Sequence, residues 1–237
     1  IIGKPLNGIY ALKTDGFINE QDEMKVFYNQ QGVSNYLSNF YKGAFYKPGD
    51  YKFVDVNGDG TIGSGDAVYC GSALPIVSGG IVNEFRWKNF DLNMLMAYSL
   101  GRHIVNNLSK AVLTNGKYAL MTDLNAISFW EKPGDHPDYP KLESDRMNSM
   151  WSYVDRDVEK VNYLKLKTLT VGYSFPKKWS RKAGIDELRV FVSGENLFTW
   201  TNYSGLDPET VDITSGFDLM SNYPLARKYT LGLTLKF

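Results

Sequence analysis

Leu231, Leu233, Leu235 and Phe237 alternate with Thr230, Gly232, Thr234 and Lys236 at the end of the chain. A period of two gives an extended segment one apolar and one polar face. The same period runs through Phe90, Leu92, Met94, Met96, Tyr98 and Leu100, which alternate with Asp91, Asn93, Leu95, Ala97 and Ser99. That length suits a tilted membrane-crossing strand of about 9–11 residues. Stretches rich in β-branched and aromatic residues, bounded by turn residues, predict six long strands, at 4–18, 76–87, 90–100, 163–175, 188–200 and 227–237. Only Lys88 and Asn89 separate the second from the third, a hairpin-length link. In the fourth, Leu164 and Leu166 are out of phase with Leu169, Val171 and Tyr173, and the alternation of the fifth is also imperfect, which predicts a bulge.

The links between these strands are lopsided. If the C-terminus marks one side, that side receives 88–89 and 176–187, while the other receives 19–75, 101–162 and 201–226. Short turns on one side and long loops on the other are the pattern of an outer-membrane barrel, periplasmic and extracellular respectively. Helix is expected only inside the loops, for instance over 21–28. Phe85, Trp87 and Phe90 gather at the hairpin, where an aromatic girdle of such a barrel sits.

Composition narrows the field. Tyr, Phe and Trp make up 14% of the 237 residues, yet no run of apolar residues reaches the ~18 needed for a membrane helix. That excludes a helical span and leaves a barrel open, since a barrel strand meets lipid only at every second residue. Lys plus Arg balance Asp plus Glu at 26 each, so the chain has no electrostatic footprint for nucleic acid, and no nucleic-acid partner is expected. The one cysteine, Cys70, excludes an internal disulfide and reads as a small packed residue. Ile1 to Pro5 carry no signal-peptide pattern, and the chain is expected to be a piece of a longer protein.

One motif carries chemistry. Asp55 to Asp66 fits a twelve-residue calcium loop, with oxygens from Asp55, Asn57, Asp59, the Thr61 carbonyl and Asp66, and Gly60 at the sharp turn. A hard cation wants six to eight oxygens about one centre, and alternate residues of a tight loop supply them. Position twelve is Asp rather than the bidentate Glu of a sensor EF-hand, so structural Ca2+ clipping a long loop is the expectation, against an ion-free Asp/Asn/Gly turn.

Other polar groupings point nowhere catalytic. His103 and His136 lack zinc spacing, and Asp135, Asp138, Glu143, Asp145, Asp155, Asp157 and Glu159 read as a solvated loop. Trp130, Tyr139, Trp151 and Tyr153 in that loop read as packing residues before sugar-stacking ones. No nucleophile elbow or phosphate-binding glycine loop is present, and no enzyme activity is expected.

Several segments resemble a known family. Thr230, Gly232, Leu235 and the terminal Phe237 are similar to the C-terminal assembly signal of outer-membrane barrels. Gly49 to Val54 ahead of the 55–66 loop, Trp87 to Leu92, Tyr163 to Pro176, Gly194 to Trp200, Gly205 to Glu209 and Tyr223 to Gly232 resemble, in order and spacing, the C-terminal part of the SusC/RagA family. Ala226 and Thr168 depart from the family's usual Pro and Asn, and Gly63-Ser64-Gly65 stand where acidic residues are common. The resemblance implies an all-β, antiparallel transmembrane barrel segment, about six strands of a larger barrel of about 22 strands with a plugged lumen. It also implies TonB-dependent import across the outer membrane of a Bacteroidetes-type bacterium, with oligosaccharide or peptide as cargo. The expected partners are the remainder of the barrel, outer-membrane lipid, a SusD-like surface lipoprotein, and the TonB complex through a missing N-terminal part. A six-stranded sheet with open edges cannot sit alone in hydrocarbon, because each unpaired backbone group there costs several kcal/mol.

The rival expectation is a secreted, calcium-stabilised, carbohydrate-binding β-sandwich. The two differ in a checkable way: a sandwich buries the Phe90–Leu100 apolar row in a water-excluding core, whereas a barrel wall leaves it outside.

Overall fold

A computed structural model describes residues 3, 5, 7–20, 48–59, 62–107, 128–141, 154–218 and 223–237. The chain divides into two compact units. One is a wall, Leu74–Arg102, Lys160–Val211 and Asn222–Phe237; the other holds Ile1–Ala73, His103–Glu159 and Asp212–Ser221.

The main sheet contains β5 (Val77–Trp87), β6 (Phe90–Asn106), β7 (Val158–Ser174), β8 (Glu187–Thr201) and β10 (Lys228–Lys236), side by side in the order β10-β8-β7-β6-β5. The β5/β6, β7/β8 and β8/β10 pairs are antiparallel. Among the described residues the sheet does not close, since β10 and β5 each have one neighbour in it. β5 and β6 pair without interruption from Trp87–Phe90 to Val77–Leu100. Their two-residue turn places Lys88 in the left-handed region at φ 54°, with its ammonium 4.9 Å from the Trp87 ring centre. The expected bulge is present: pairing of β7 with β8 shifts register between Leu166 and Thr168. The extra residue is on β8, where three steps from Phe198 to Glu195 oppose two from Leu166 to Thr168 and Asn196 takes φ 53°, so Leu164 and Leu166, opposite Trp200 and Phe198, stay out of phase with Leu169 and Val171. The 175–186 link is compact, with a one-turn helix α1 (Lys177–Ser180) after Pro176 and Gly184 closing the next turn at φ 70°. Asp186 N–H donates to the Lys236 carbonyl, which ties this link to the end of β10.

The second unit corrects one expectation. The 4–18 stretch is not a long wall strand. It splits into β1 (Gly8–Leu12), paired with β4 (Ala67–Ser72), and β2 (Thr14–Phe17), paired with β3 (Tyr51–Phe53), in two separate two-stranded sheets. Gly16 at φ 74° breaks the extension, and the Thr14 amide and hydroxyl both donate to Asp155. The sixth strand of the main sheet is instead β9 (Phe217–Asp218), a two-residue parallel partner to the end of β6. Ile9, Ala11, Phe17 and Ile18 are each less than 8% exposed, so their apolar side chains lie inside protein. A period of two reads the same whether its apolar face meets lipid or a loop core.

Two small cores hold this unit. Phe17, Tyr51, Phe53, Ile62, Trp130 and Val154 form one, with Phe17 stacked on Tyr51 at 5.4 Å. Ile9, Ala73 and Val105 form the other, with Cys70, Val158 and Phe217 against it. Trp130 is therefore a core residue, and burial pushes the Cys70 thiol up, as expected for a packed cysteine. The Tyr51 hydroxyl is held neutral chiefly by burial, with Asp157 next in effect. His136 is exposed and His103 half-buried. The helix expected at 21–28, and Glu143, Asp145, Trp151 and Tyr153, lie outside the described residues.

Candidate functional site

Register assigns each wall residue to one of two faces. Trp87/Phe90, Phe85/Leu92, Ile81/Met96 and Val77/Leu100 are cross-strand pairs on one face. On β7, β8 and β10 that face continues as Tyr173/Val190/Leu233, Val171/Val192/Leu231 and Leu169/Gly194/Tyr229. These residues are not a core: Ile81 is 50% exposed, Phe90 50%, Leu100 44% and Leu231 76%. The apolar row that a sandwich would bury is on the outside. Asn83 is the polar exception on this face, opposite Met94.

Aromatic residues bound the apolar face at its short-turn end, and a second aromatic pair stands at the long-loop end of β8. At the short-turn end Phe90 lies 4.8 Å from Tyr173, and Tyr173 packs edge-on to Phe175 at 5.1 Å, beside Phe85 and Trp87. At the other end Phe198 stacks on Trp200 at 5.9 Å. Tyr173 pairs with Val190, so Phe198 and Trp200 stand eight and ten residues further along β8. At ~3.3 Å per residue and a tilt of about 40°, that separation is about 20–25 Å, the height of an outer-membrane apolar band. The girdle at the hairpin was legible in the sequence. Phe198 and Trp200, opposite Leu166 and Leu164, lie beyond the β8 bulge and out of phase with Val190 and Val192.

The opposite face is polar. It carries Arg86/Asp91, Glu84/Asn93 and Ser78/Ser99, then Ser174/Arg189/Thr234, Thr170/Ser193/Thr230 and Thr168/Glu195/Lys228, with Val82/Leu95 as its apolar exception. Arg189 donates twice to Asp91, at 2.9 and 2.5 Å, and its guanidinium covers the Phe191 ring at 5.0 Å. Phe191 in turn lies across Gly232, where any Cβ would run into the ring, and a Cβ at Gly172 would meet Arg189 and Asp91. Gly232 of the expected assembly signal thus serves as a slot for an aromatic side chain from the neighbouring strand. Thr230 and Gly232 face this polar side, and Leu235 faces the apolar one. Phe237 follows the strand, 86% exposed.

A buried ionic cluster fastens the 202–211 segment to β7. Lys165, 2% exposed, meets Asp207 at 2.9 Å and Glu209 at 2.7 Å, while Lys167 meets Glu209 at 2.6 Å. Arg102, 3% exposed, donates to the Pro208 and Val211 carbonyls. Burial works against the Glu209 charge, but the hydrogen bonds from Lys165 and Lys167 outweigh it and leave the carboxyl below its usual range. None of these five residues was singled out for its chemistry in the sequence.

The 55–66 loop folds around Asp66, which is 1% exposed. Its carboxylate accepts the Val56 N–H at 2.8 Å, the Asn57 N–H at 3.4 Å and the Gly63 N–H at 2.7 Å. Gly58 N–H donates to Asp55, Asp59 N–H to the Asn57 side-chain oxygen, and the Asn57 amide to Asp59. Four of the five expected ligand residues therefore share one turn; Thr61, with Gly60, lies outside the described residues. Their hard oxygen donors suit Ca2+ chemistry. As folded they do not make a finished cage: among the described residues no three His, Cys, Asp or Glu side chains converge as metal ligands. The described acidic residues of the 101–162 stretch accept hydrogen bonds from protein groups instead. Asp135 accepts the Glu131 and Lys132 amides, Asp138 bonds Ser128, and Glu159 accepts from Asn106.

Comparison with known proteins agrees with the wall. The chain is 32% identical to TonB-dependent receptor P3 of Formosa agariphila over 201 residues, 80% of this chain and 19% of that protein. It is 29% identical to TonB-dependent receptor SusC of Bacteroides thetaiotaomicron, over 81% of this chain and 18% of that one. The chain thus spans about a fifth of the length of these relatives. No family model matches it. Among solved structures, the RagAB peptide transporter superposes with a TM-score of 0.65 at 21% identity, over 97% of this chain and 23% of that one. The RagAB peptide importer in its open-open state gives the same score at 22% identity. By its sequence relatives and its open, two-faced sheet, the chain belongs to the SusC/RagA family of TonB-dependent receptors, as a segment of their barrel wall.

Proposed function

We propose that this segment works within a TonB-dependent outer-membrane importer of a Bacteroidetes-type bacterium, taking up oligosaccharide or peptide together with a SusD-like lipoprotein. The observation that carries the reading is the outward, exposed apolar face, with an aromatic girdle at its short-turn end, on a sheet whose other face is polar and ion-paired. A water-soluble sandwich has no use for such a face. Further strands pair with the free edges of β5 and β10 and complete the barrel. The links at the Phe198 and Trp200 end of the strands lie outside the cell, where the lipoprotein sits, and the plug and TonB-contacting parts belong to the rest of the transporter. No sequence feature assigns this chain a catalytic role. Deleting Phe237 from the intact transporter tests the reading: outer-membrane levels should fall severalfold while synthesis is unchanged. Normal membrane levels would count against it.

We also propose that Asp55, Asn57, Asp59, the Thr61 carbonyl and Asp66 hold a structural Ca2+ once Asp66 turns a lone pair from its backbone partners. The ion would supply no chemistry beyond cross-linking the loop. Chelation of the purified transporter should then raise protease cleavage within 55–66, and Ca2+ should reverse it in the wild type but not in Asp59→Ala. Cleavage indifferent to calcium would leave the turn ion-free, held by Asp66 alone.

A further inference from the structure

We infer that the short-turn end of the wall, through Lys88 and the 177–182 turn, binds the phosphate headgroups of anionic glycerophospholipids. The inference rests on the barrel reading above, which sets this end at the periplasmic leaflet.

Between Pro176 and Gly184 stand Lys177, Lys178, Arg181 and Lys182 with no Asp or Glu among them, in a chain whose charges balance overall at 26 each. All four are exposed, and Trp179 in their midst is 61% exposed. The link is compact, because the Trp179 amide donates to the Pro176 carbonyl and the Ile185 amide to the Ser180 carbonyl. Ser174 N–H donates to the Asn89 carbonyl at 2.8 Å, so the link starts beside the β5/β6 turn that carries Lys88. Of these five cations only Arg181 pairs with a carboxylate among the described residues, Asp186 at 3.4 Å. Glu187 stands opposite Lys236 on β10 and does not cancel the patch. The long-loop end is built the other way, with Lys165 and Lys167 held by Asp207 and Glu209.

Gathered ammonium groups repel one another unless an anion joins them. Position selects that anion. The apolar face ends here at Trp87 and Phe90, and the Lys88 ammonium lies against the Trp87 ring, which puts its charge at headgroup depth. Lys88 takes φ 54°, a conformation that Asn or Gly adopts more readily, so the turn carries its cation at a conformational cost. Lysine offers a point charge on a flexible stem, which can follow a mobile phosphodiester. Tryptophan beside lysine is also the usual make-up of a membrane interface. Each cation close to an anionic lipid surface gains about fivefold in affinity. A zwitterionic lipid brings the same phosphate together with its own ammonium, and so loses most of that gain.

The test uses the intact transporter purified in neutral detergent and titrated with phosphatidylglycerol or phosphatidylethanolamine. Native mass spectrometry counts the retained molecules. Wild type should retain phosphatidylglycerol at least threefold better. Lys177→Gln with Lys178→Gln should remove most of that preference, and Lys177→Arg with Lys178→Arg should keep it. Lys160→Gln with Lys228→Gln takes the same charge from the long-loop end and should leave the preference intact. Equal retention of both lipids by wild type overturns the inference and assigns the lysines to a periplasmic polyanion or protein. Equal losses from the two glutamine pairs overturn it as well, since net charge rather than this turn would then select the lipid. Wild-type retention by Lys177→Gln with Lys178→Gln removes the turn from the site. If that variant fails to assemble, Lys88→Gln with Lys182→Gln is read in its place, with the same loss expected. Failure of the barrel reading itself would appear separately, as wild-type protein absent from the outer-membrane fraction.

Discussion

Replacing Lys165 with alanine is expected to destabilise the barrel wall by about 3–5 kcal/mol, the largest effect of any single substitution considered for this chain. Lys165 is 2% exposed and touches two carboxylates, Asp207 and Glu209. Removing it leaves Asp207 without its ammonium and Glu209 with Lys167 alone, in a site water hardly enters. The loss is therefore the cost of stranding buried charge, and it exceeds the ~0–1 kcal/mol of a surface pair several times over. The comparison that isolates it is Lys165→Met combined with Asp207→Asn and Glu209→Gln, which removes every stranded charge and should recover most of the loss. Urea resistance of the assembled transporter, followed by its heat-modifiable gel mobility, reads both variants. A single variant as mild as a surface substitution would mean the cluster is hydrated.

The same cluster has a pH sign. The Glu209 carboxyl is depressed in the folded chain, so its contribution is present above the ordinary glutamate value and is lost as pH falls through the lower folded value. Protease access to the 202–211 segment should stay constant from neutrality to about pH 5, and rise only below the ordinary carboxylate range.

What could be read from sequence followed from whether a feature is local. The imperfect alternation of β7 and β8 pointed to a bulge, which register places opposite Leu166–Thr168 with its extra residue in β8, at Asn196. The two-residue turn at Lys88 and Asn89 was equally local. The pairing of Lys165 with a residue 42 positions away, and of Arg189 with Asp91 at a separation of 98, has no such trace. Each joins positions that only the tertiary fold brings together. The 4–18 stretch failed for a different reason. Its alternation was real, but the apolar face packs against Ala73, Val105 and the aromatic cluster of the second unit rather than lipid. The 55–66 loop stands between these cases: its shared turn was legible, while the capture of Asp66 by three backbone amides was not.

The lipid-facing assignment has a sharper test in two adjacent residues. Ile81 stands six positions from the girdle residue Trp87 on the same face of β5, and Val82 faces the other way. Six residues at ~3.3 Å, inclined by about 40°, put Ile81 about 15 Å above the girdle, near the middle of a band about 25 Å tall. An arginine there meets acyl chains at their most apolar depth, so Ile81→Arg is expected to cost about 2–4 kcal/mol and to lower assembly in the outer membrane. Val82→Arg adds the same charge and bulk at nearly the same height, but toward the polar face with Glu84 and Arg86, and should cost less than ~1 kcal/mol. Ordinary surface chemistry predicts no such asymmetry, because both side chains are at least half exposed in the chain alone. Equal outer-membrane levels for the two variants, measured side by side, would place water rather than lipid against the Ile81 face and remove the physical basis for a membrane-spanning wall.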